Sequence, residues 1–247
     1  MNPNFPSAPV SAPTLSVLLP AYNEEACIEP VVREVEGVLR GMGHSFEILV
    51  VDDASTDATG ARLRGLGAEI PELRVLRLSV HSGQSAALGA AFQAARGGVF
   101  ITMDADGQND SADIPALVAG LDNCDVCCGY RIRRQDTWSK RFGSRVANAV
   151  RNRILRETVR DTGCTLKAFR AAWARHLPMQ FRGMHRFLPA LMAMEGARIA
   201  ELPVGHRARA AGTSKYTNLG RLAVTIRDLW AVRWMQTRYC RIRTEST

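Results

Sequence analysis

Ile101 to Asp110, ITMDADGQND, passes abruptly from an apolar run into a cluster of carboxylates. Gly98 to Met103 reads as a short buried strand, so Asp104 and Asp106 are expected at its carboxyl end, where open α/β sheets bind their ligands. In an extended segment, carboxylates at i and i+2 point the same way. With Gln108 as a third oxygen donor they form a candidate site for one hard divalent cation. A lone D-x-D is common in solvated turns, so its meaning depends on its surroundings.

Outward from this stretch the chain alternates strand and helix. Leu15 to Leu19 is a compact apolar strand, and Asn23 is placed to cap a helix opening at Glu24 and Glu25. Phe46 to Val51 is a second buried strand ending in Asp52 and Asp53, with a helix expected from Ser55 to about Leu66. Leu73 to Leu78 is a third strand, and Gly83, Gln84 and Ser85 lead into an Ala-rich helix to about Arg96. After the carboxylates come a helix over 114–121 and a fifth strand over 125–130, ending at Arg131. Strands that are continuously apolar, separated by helices, indicate a largely parallel sheet covered on both faces, a Rossmann-like nucleotide-binding unit.

Beyond Arg131 the character changes. In 138–156, Phe142, Val146, Ala149, Val150 and Ile154 share a helical face, with Arg151 among the charges assigned to the other faces. A strand is expected within 165–170, a helix over 187–195 and a strand over 198–204, followed by the basic loop HRARAAGTSK from His206 to Lys215. A long amphipathic helix over 219–239 carries Leu219, Leu222, Ala223, Ile226, Trp230 and Trp234 on one stripe. Residues 1–13 read as a disordered lead-in, 14–217 as the catalytic domain and 218–247 as a C-terminal helix and tail.

The net charge of +8 is unevenly distributed. Residues 1–127 hold 7 Lys+Arg and 17 Asp+Glu, whereas residues 128–247 hold 25 and 7. The basic half is suited to an anionic partner such as phosphate or a lipid surface. A nucleic-acid-binding module is disfavoured, because interleaved aromatic platforms are lacking and the acidic strand ends would go unexplained. The six cysteines have no framework spacing and indicate a reducing compartment; Cys124 and Cys127 read as buried strand rather than a metal or redox pair. No apolar run is long enough to cross a bilayer, so membrane contact is expected to be peripheral, at the cytoplasmic face.

Taken in order, LLPAYNEE, VVDDASTD, GQSAAL, MDADGQ, GYR, RDTGCTLKAFR and HRARAAGTSKY resemble the family 2 glycosyltransferases of the dolichyl-phosphate mannose synthase and bacterial polyprenyl-phosphate glycosyltransferase type. The resemblance implies a GT-A fold and transfer of a hexose, with inversion, from a UDP- or GDP-linked donor to polyprenyl phosphate. Pro20, Ala21, Tyr22, Glu24, Asp52, Asp53, Gln84 and Ala105 then fall to the nucleotide-sugar. Asp104, Asp106 and Gln108 fall to Mg²⁺ or Mn²⁺. Arg131 is placed at the phosphates with Arg133 and Ser214 on the acceptor side, and Arg207 and Lys215 close over the pyrophosphate. Asp161 lies where relatives that glycosylate hydroxyls carry a base, which keeps a hydroxyl acceptor as the alternative. His185 is read as structural or acceptor-adjacent. Many relatives continue into transmembrane helices, so an integral membrane partner is also entertained.

Overall fold

The computed structural model describes residues 13–132, 148–208 and 218–240. A seven-stranded sheet runs through it: β1 (Leu15–Ala21), β2 (Phe46–Asp52), β3 (Leu73–Arg77), β4 (Val99–Thr102), β5 (Val126–Arg131), β6 (Lys167–Arg170) and β7 (Ile199–Val204). The spatial order is β3-β2-β1-β4-β6-β5-β7. All neighbours are parallel except β6, which runs antiparallel to both β4 and β5. The expected mostly parallel sheet is therefore present.

Residue alternation along the strands builds two cores. Leu15, Val17 and Leu19 of β1 join Ile48 and Val50 of β2 on one face. They meet helices α1 (Ile28–Gly41), α2 (Thr59–Glu69) and α4 (Ile114–Gly120) through residues such as Val32, Leu63 and Leu117. Leu18, Leu49 and Phe100 point to the other face, where α3 (Gln84–Ala94), α6 (Leu188–Glu195) and α7 (Asn218–Arg238) supply Phe92, Leu191 and Val232. Each such fully buried aliphatic or aromatic side chain contributes roughly 1.5 to 3 kcal/mol relative to exposure. Because α1 and α2 lie on one face and α3 on the other, the chain reverses direction across the sheet between β1 and β4. That is the crevice where open α/β sheets take ligands, and β4 delivers Asp104 to it.

Several local expectations change. Asn23 caps no helix: α1 begins at Ile28, and Asn23 sits at φ 54° with its side-chain carbonyl accepting from the Thr56 N–H at 2.8 Å. The second helix starts at Thr59 rather than Ser55, because Asp52 Oδ1 accepts the Ser55 N–H and holds residues 53–55 in a turn. Residues 148–155 (α5) are helical, but Arg151 is buried at 7% exposure, close to Glu157 and over the Phe187 ring, while Val150 is exposed. On α7 the face that packs carries Leu229 and Val232. Ile226, Trp230 and Trp234, on the anticipated stripe, are exposed. Cys124, Cys127 and Cys128 are buried as expected, and burial pushes the Cys127 and Cys128 thiols up to about 12.

Candidate active site

Asp104 and Asp106 follow the end of β4, but not as an extended pair. Residues 105–107 form a turn in which Gly107 takes φ +76°, a conformation open to glycine at no steric cost. The turn brings Asp106 Oδ1 to 3.1 Å from the Gln108 N–H, which it accepts, and Ala105 is buried beneath. Asn109 braces the loop: its side-chain carbonyl accepts the Asp104 N–H and the Thr165 hydroxyl, each at 3.0 Å. Asp104 Oδ1 accepts from Gln84 Nε2 at 2.7 Å, so Gln84 sits directly on the carboxylate pair.

Burial, and then the neighbouring Asp106 charge, push the Asp104 carboxyl up to about 6, against the opposing influence of Thr165, Lys167 and Gln84. Two adjacent carboxylates, one of them strained electrostatically in its charged form, are a donor set that a hard divalent cation fits. Among the described residues no group of three or more His, Cys, Asp or Glu is arranged to hold a metal ion. Asp104 and Asp106 could hold such a cation, and its other positions would then fall to substrate oxygens and water, as is common for Mg²⁺.

The end of β2 is built differently. Asp52, buried, accepts the Ser55 N–H and a bond from Arg77. Asp53, also buried, accepts the backbone N–H groups of Ser82 and Gly83 at 2.7 Å each, and its Oδ2 lies 2.9 Å from His81 Nδ1. Gly83, at φ +91°, then turns the chain into α3. His81 stacks on Tyr22 with centroids 3.9 Å apart, and the Asp53 N–H donates to Ala21 O. Glu24 is half-buried, its N–H donating to Thr59 Oγ1.

Pro20, Gln84, Asp104 and Lys167 line a groove of about 1370 Å³ that runs from the β1 end to α7. Lys167 lies on β6 opposite Thr102, is 3% exposed, and its ammonium donates to Cys164 O. Sequence reasoning missed Lys167, His81, Asn109 and Thr165. For Lys167 the available signal was a lysine inside an otherwise apolar strand, T-L-K-A-F.

Two arginines assigned to phosphates carry ion pairs. Arg131 grips Asp161 through Nε and Nη2 at 2.7 and 2.9 Å, and the Arg131 N–H also reaches Asp161. Arg207 bridges Glu34 and Asp110 at 2.7 Å each, and its N–H donates to Gln108 O, which fastens the strand leaving β7 to the carboxylate loop. Arg133, Ser214 and Lys215 lie outside the described residues.

The family profile described as glycosyl transferase family 2 matches residues 16–177. The chain belongs to glycosyl transferase family 2. It is 38% identical over 230 residues to dodecaprenyl-phosphate galacturonate synthase of Rhizobium johnstonii, an alignment covering 91% of this chain and 68% of that protein. It is 35% identical over 205 residues to undecaprenyl-phosphate 4-deoxy-4-formamido-L-arabinose transferase of Edwardsiella ictaluri, covering 82% of this chain and 62% of that one. The chain thus spans about two-thirds of the length of these relatives. Glucosyl-3-phosphoglycerate synthase from Mycobacterium tuberculosis, solved with Mn²⁺, UDP and phosphoglyceric acid, shares the fold with a TM-score of 0.68 at 23% identity, over 93% of this chain and 80% of that one. The same enzyme has been solved with Mg²⁺ and UDP. The enzyme class expected from the ordered motifs, a family 2 glycosyltransferase, is the one the comparisons give.

Proposed function

We propose that this glycosyltransferase moves a hexose from a UDP- or GDP-linked donor to a polyprenyl phosphate, with Asp104 and Asp106 holding Mg²⁺ or Mn²⁺ and Gln108 beside them. The observation that carries the reading is the Asp104–Asp106 pair at the β4 end, with Asp104 lining a groove whose wall also carries Lys167, Arg182, Arg186 and Arg227. The two polyprenyl-phosphate transferases at 38% and 35% identity support the acceptor class. A bound divalent cation would offset the charge that develops on the leaving diphosphate.

The chain's own residues divide the remaining work. Gln84 fixes the rotamer of Asp104, and Asn109 fixes the backbone that carries it. His81, backed by its stack on Tyr22, and Pro20 form the wall offered to the nucleotide. The acceptor phosphate has its second pKa near ~6 and is largely a dianion at neutral pH, so it needs no base to attack the anomeric carbon. The new bond forms from a phosphate oxygen to that carbon, the bond to the nucleoside diphosphate breaks on the opposite side, and the configuration inverts. Asp161 suits this reading, because both its oxygens accept from the Arg131 guanidinium and it serves to aim that cation.

No helix among the described residues is long and apolar enough to cross a membrane. The exposed face of α7 instead presents Ile226, Trp230 and Trp234 with Arg227 and Arg238, a composition that rests on an anionic lipid surface. A screen of UDP- and GDP-hexoses and hexuronates with polyprenyl phosphate in Mg²⁺ or Mn²⁺, following nucleotide release, tests the function. Acceptor-dependent release with product bearing one sugar phosphodiester is expected. Transfer to hydroxyl acceptors in its place would overturn the reading.

A further inference from the structure

Residues 156–162 form neither helix nor strand, yet they deliver Asp161 to Arg131. The segment opens where α5 ends: Arg156 takes φ 56°, and the Glu157 N–H donates to Asn152 O at 3.0 Å, a left-handed helix stop. Carbonyls in a segment without a ladder of its own need donors from a neighbour. Here α5 supplies them. Asn148 Nδ2 donates to Arg160 O at 2.9 Å, and Asn152 Nδ2 donates to Val159 O at 3.0 Å. The other end of the Asn148 amide accepts from the Thr162 hydroxyl at 3.3 Å. Residues four apart share a helix face, so the two amides grip consecutive carbonyls of the passing chain.

Both flanks of this grip are fixed. Arg151 anchors α5 to the core, its guanidinium 5.0 Å from the Phe187 ring centroid and beside Glu157. From the sheet, Glu201 of β7 accepts the Arg160 N–H at 2.8 Å. Beyond Asp161 the same stretch reaches the groove, which Thr162 and Gly163 line. A Cβ added at Gly163 would stand 3.0 Å from Arg131 Nη2 and 3.5 Å from Asp161 Oδ1, so the fork of Arg131 on Asp161 lies directly against that glycine. Two residues later, the Thr165 hydroxyl donates to Asn109, the brace of the carboxylate loop.

We propose that Asn148 and Asn152 are positioning residues for glycosyl transfer: by holding the Arg160 and Val159 carbonyls they set Asp161, and through it the Arg131 guanidinium beside Gly163 at the groove wall. A bidentate fork fixes the plane of the guanidinium as well as its place, so a small rotation of the segment costs one of its two arms. The inference rests on the reading of Arg131 as a cation aimed at substrate phosphates, and it names what aims it.

Transfer kinetics and nitrogen-15 spectra of the full chain test this. Kinetics follow nucleotide release from UDP- and GDP-linked hexoses and hexuronates with farnesyl phosphate and Mg²⁺. Asn148→Ala and Asn152→Ala should each lower kcat/KM by about two- to tenfold, as loss of one hydrogen bond does, and together they should approach the loss seen in Asp161→Asn. Alanine favours helix more than asparagine, so the melting temperature should change little. Added to Asp161→Asn, neither substitution should lower transfer further, because both act through that carboxylate. In spectra taken without substrate, the Arg131 Nε–H resonance, identified by its disappearance in Arg131→Lys, should move in both variants toward its position in Asp161→Asn. Losses that add to that of Asp161→Asn, or an Arg131 resonance that stays in place, would overturn the positioning role. The single variants carry the test if the double does not fold. A resonance that responds as expected in a protein transferring nothing to farnesyl phosphate would break the proposed function alone; transfer to farnesyl phosphate with additive losses would break the positioning role alone.

Discussion

Two acidic strand ends face the same crevice and are wired in opposite ways. At β2, Asp52 and Asp53 are saturated by fixed donors: the N–H groups of Ser55, Ser82 and Gly83, with Arg77 and His81 beside them. At β4, burial opposes charging of Asp104 and the neighbouring Asp106 charge adds to the cost, even though Asp104 accepts from Gln84 and Asp106 from the Gln108 N–H. The bonds that Asp53 accepts from Ser82 and Gly83 tie β2 to the start of α3. Carboxylates left in mutual conflict are those that gain from an added cation. A D-D and a D-x-D look alike in sequence, and only the donors supplied by other segments separate them.

The largest effect should come from the β4 pair. Asp106→Ala should lower transfer at least about a hundredfold, the scale for losing one transition-state charge stabiliser, with an unchanged melting temperature. Asp53→Ala should do the reverse in kind. It strands the half-buried N–H groups of Ser82 and Gly83 and should cost about 1 to 3 kcal/mol of stability in a denaturant titration. An Asp53 variant of native stability would erase the contrast between the two strand ends.

A smaller effect is expected at Asp161→Asn, where the fork on Arg131 is weakened: transfer should fall about tenfold with the shape of the pH–rate profile preserved. A loss of about a thousandfold with the acidic limb gone would instead mark a general base. The smallest effect concerns stability against pH, at a third buried carboxylate that resembles the β2 pair. Burial opposes ionisation of Glu47, but bonds from Ser16, the Arg96 N–H and Arg74 outweigh it and hold the carboxyl below the usual glutamate range. A depressed folded pKa stabilises the fold above the unfolded value near ~4.3, and that stability is lost as pH falls through the folded value. Glu47→Gln should therefore be less stable than wild type at pH 7 by about 1 to 3 kcal/mol, with the gap closing under acid. A gap that stays constant down to pH 3 would remove the assignment.

The sheet and its strand ends were legible because continuous apolar runs such as Phe46–Val51 admit few alternatives, and the carboxylates follow them directly. Helix starts were less so. Asn23 looks like a cap, but its side chain is taken by Thr56, a partner on another loop that no local pattern reveals. Arg151 was unreadable as a buried group, since its packing against Glu157 and the Phe187 ring arises only in the fold, whereas the burial of Lys167 had its signal in the apolar strand around it. On α7, apolar residues occur on several faces, so periodicity alone could not say whether the face bearing Leu229 and Val232 or that bearing Trp230 and Trp234 would pack.

The central claim is that the β4 carboxylates, and not those of β2, hold the divalent cation. Mn²⁺ binding in the presence of UDP or GDP, read by electron paramagnetic resonance on wild type, Asp106→Asn and Asp52→Asn, addresses it without relying on turnover. The account predicts that Asp106→Asn loses the bound-Mn²⁺ signal while Asp52→Asn, if folded, retains it; wild-type Mn²⁺ affinity in Asp106→Asn would contradict it.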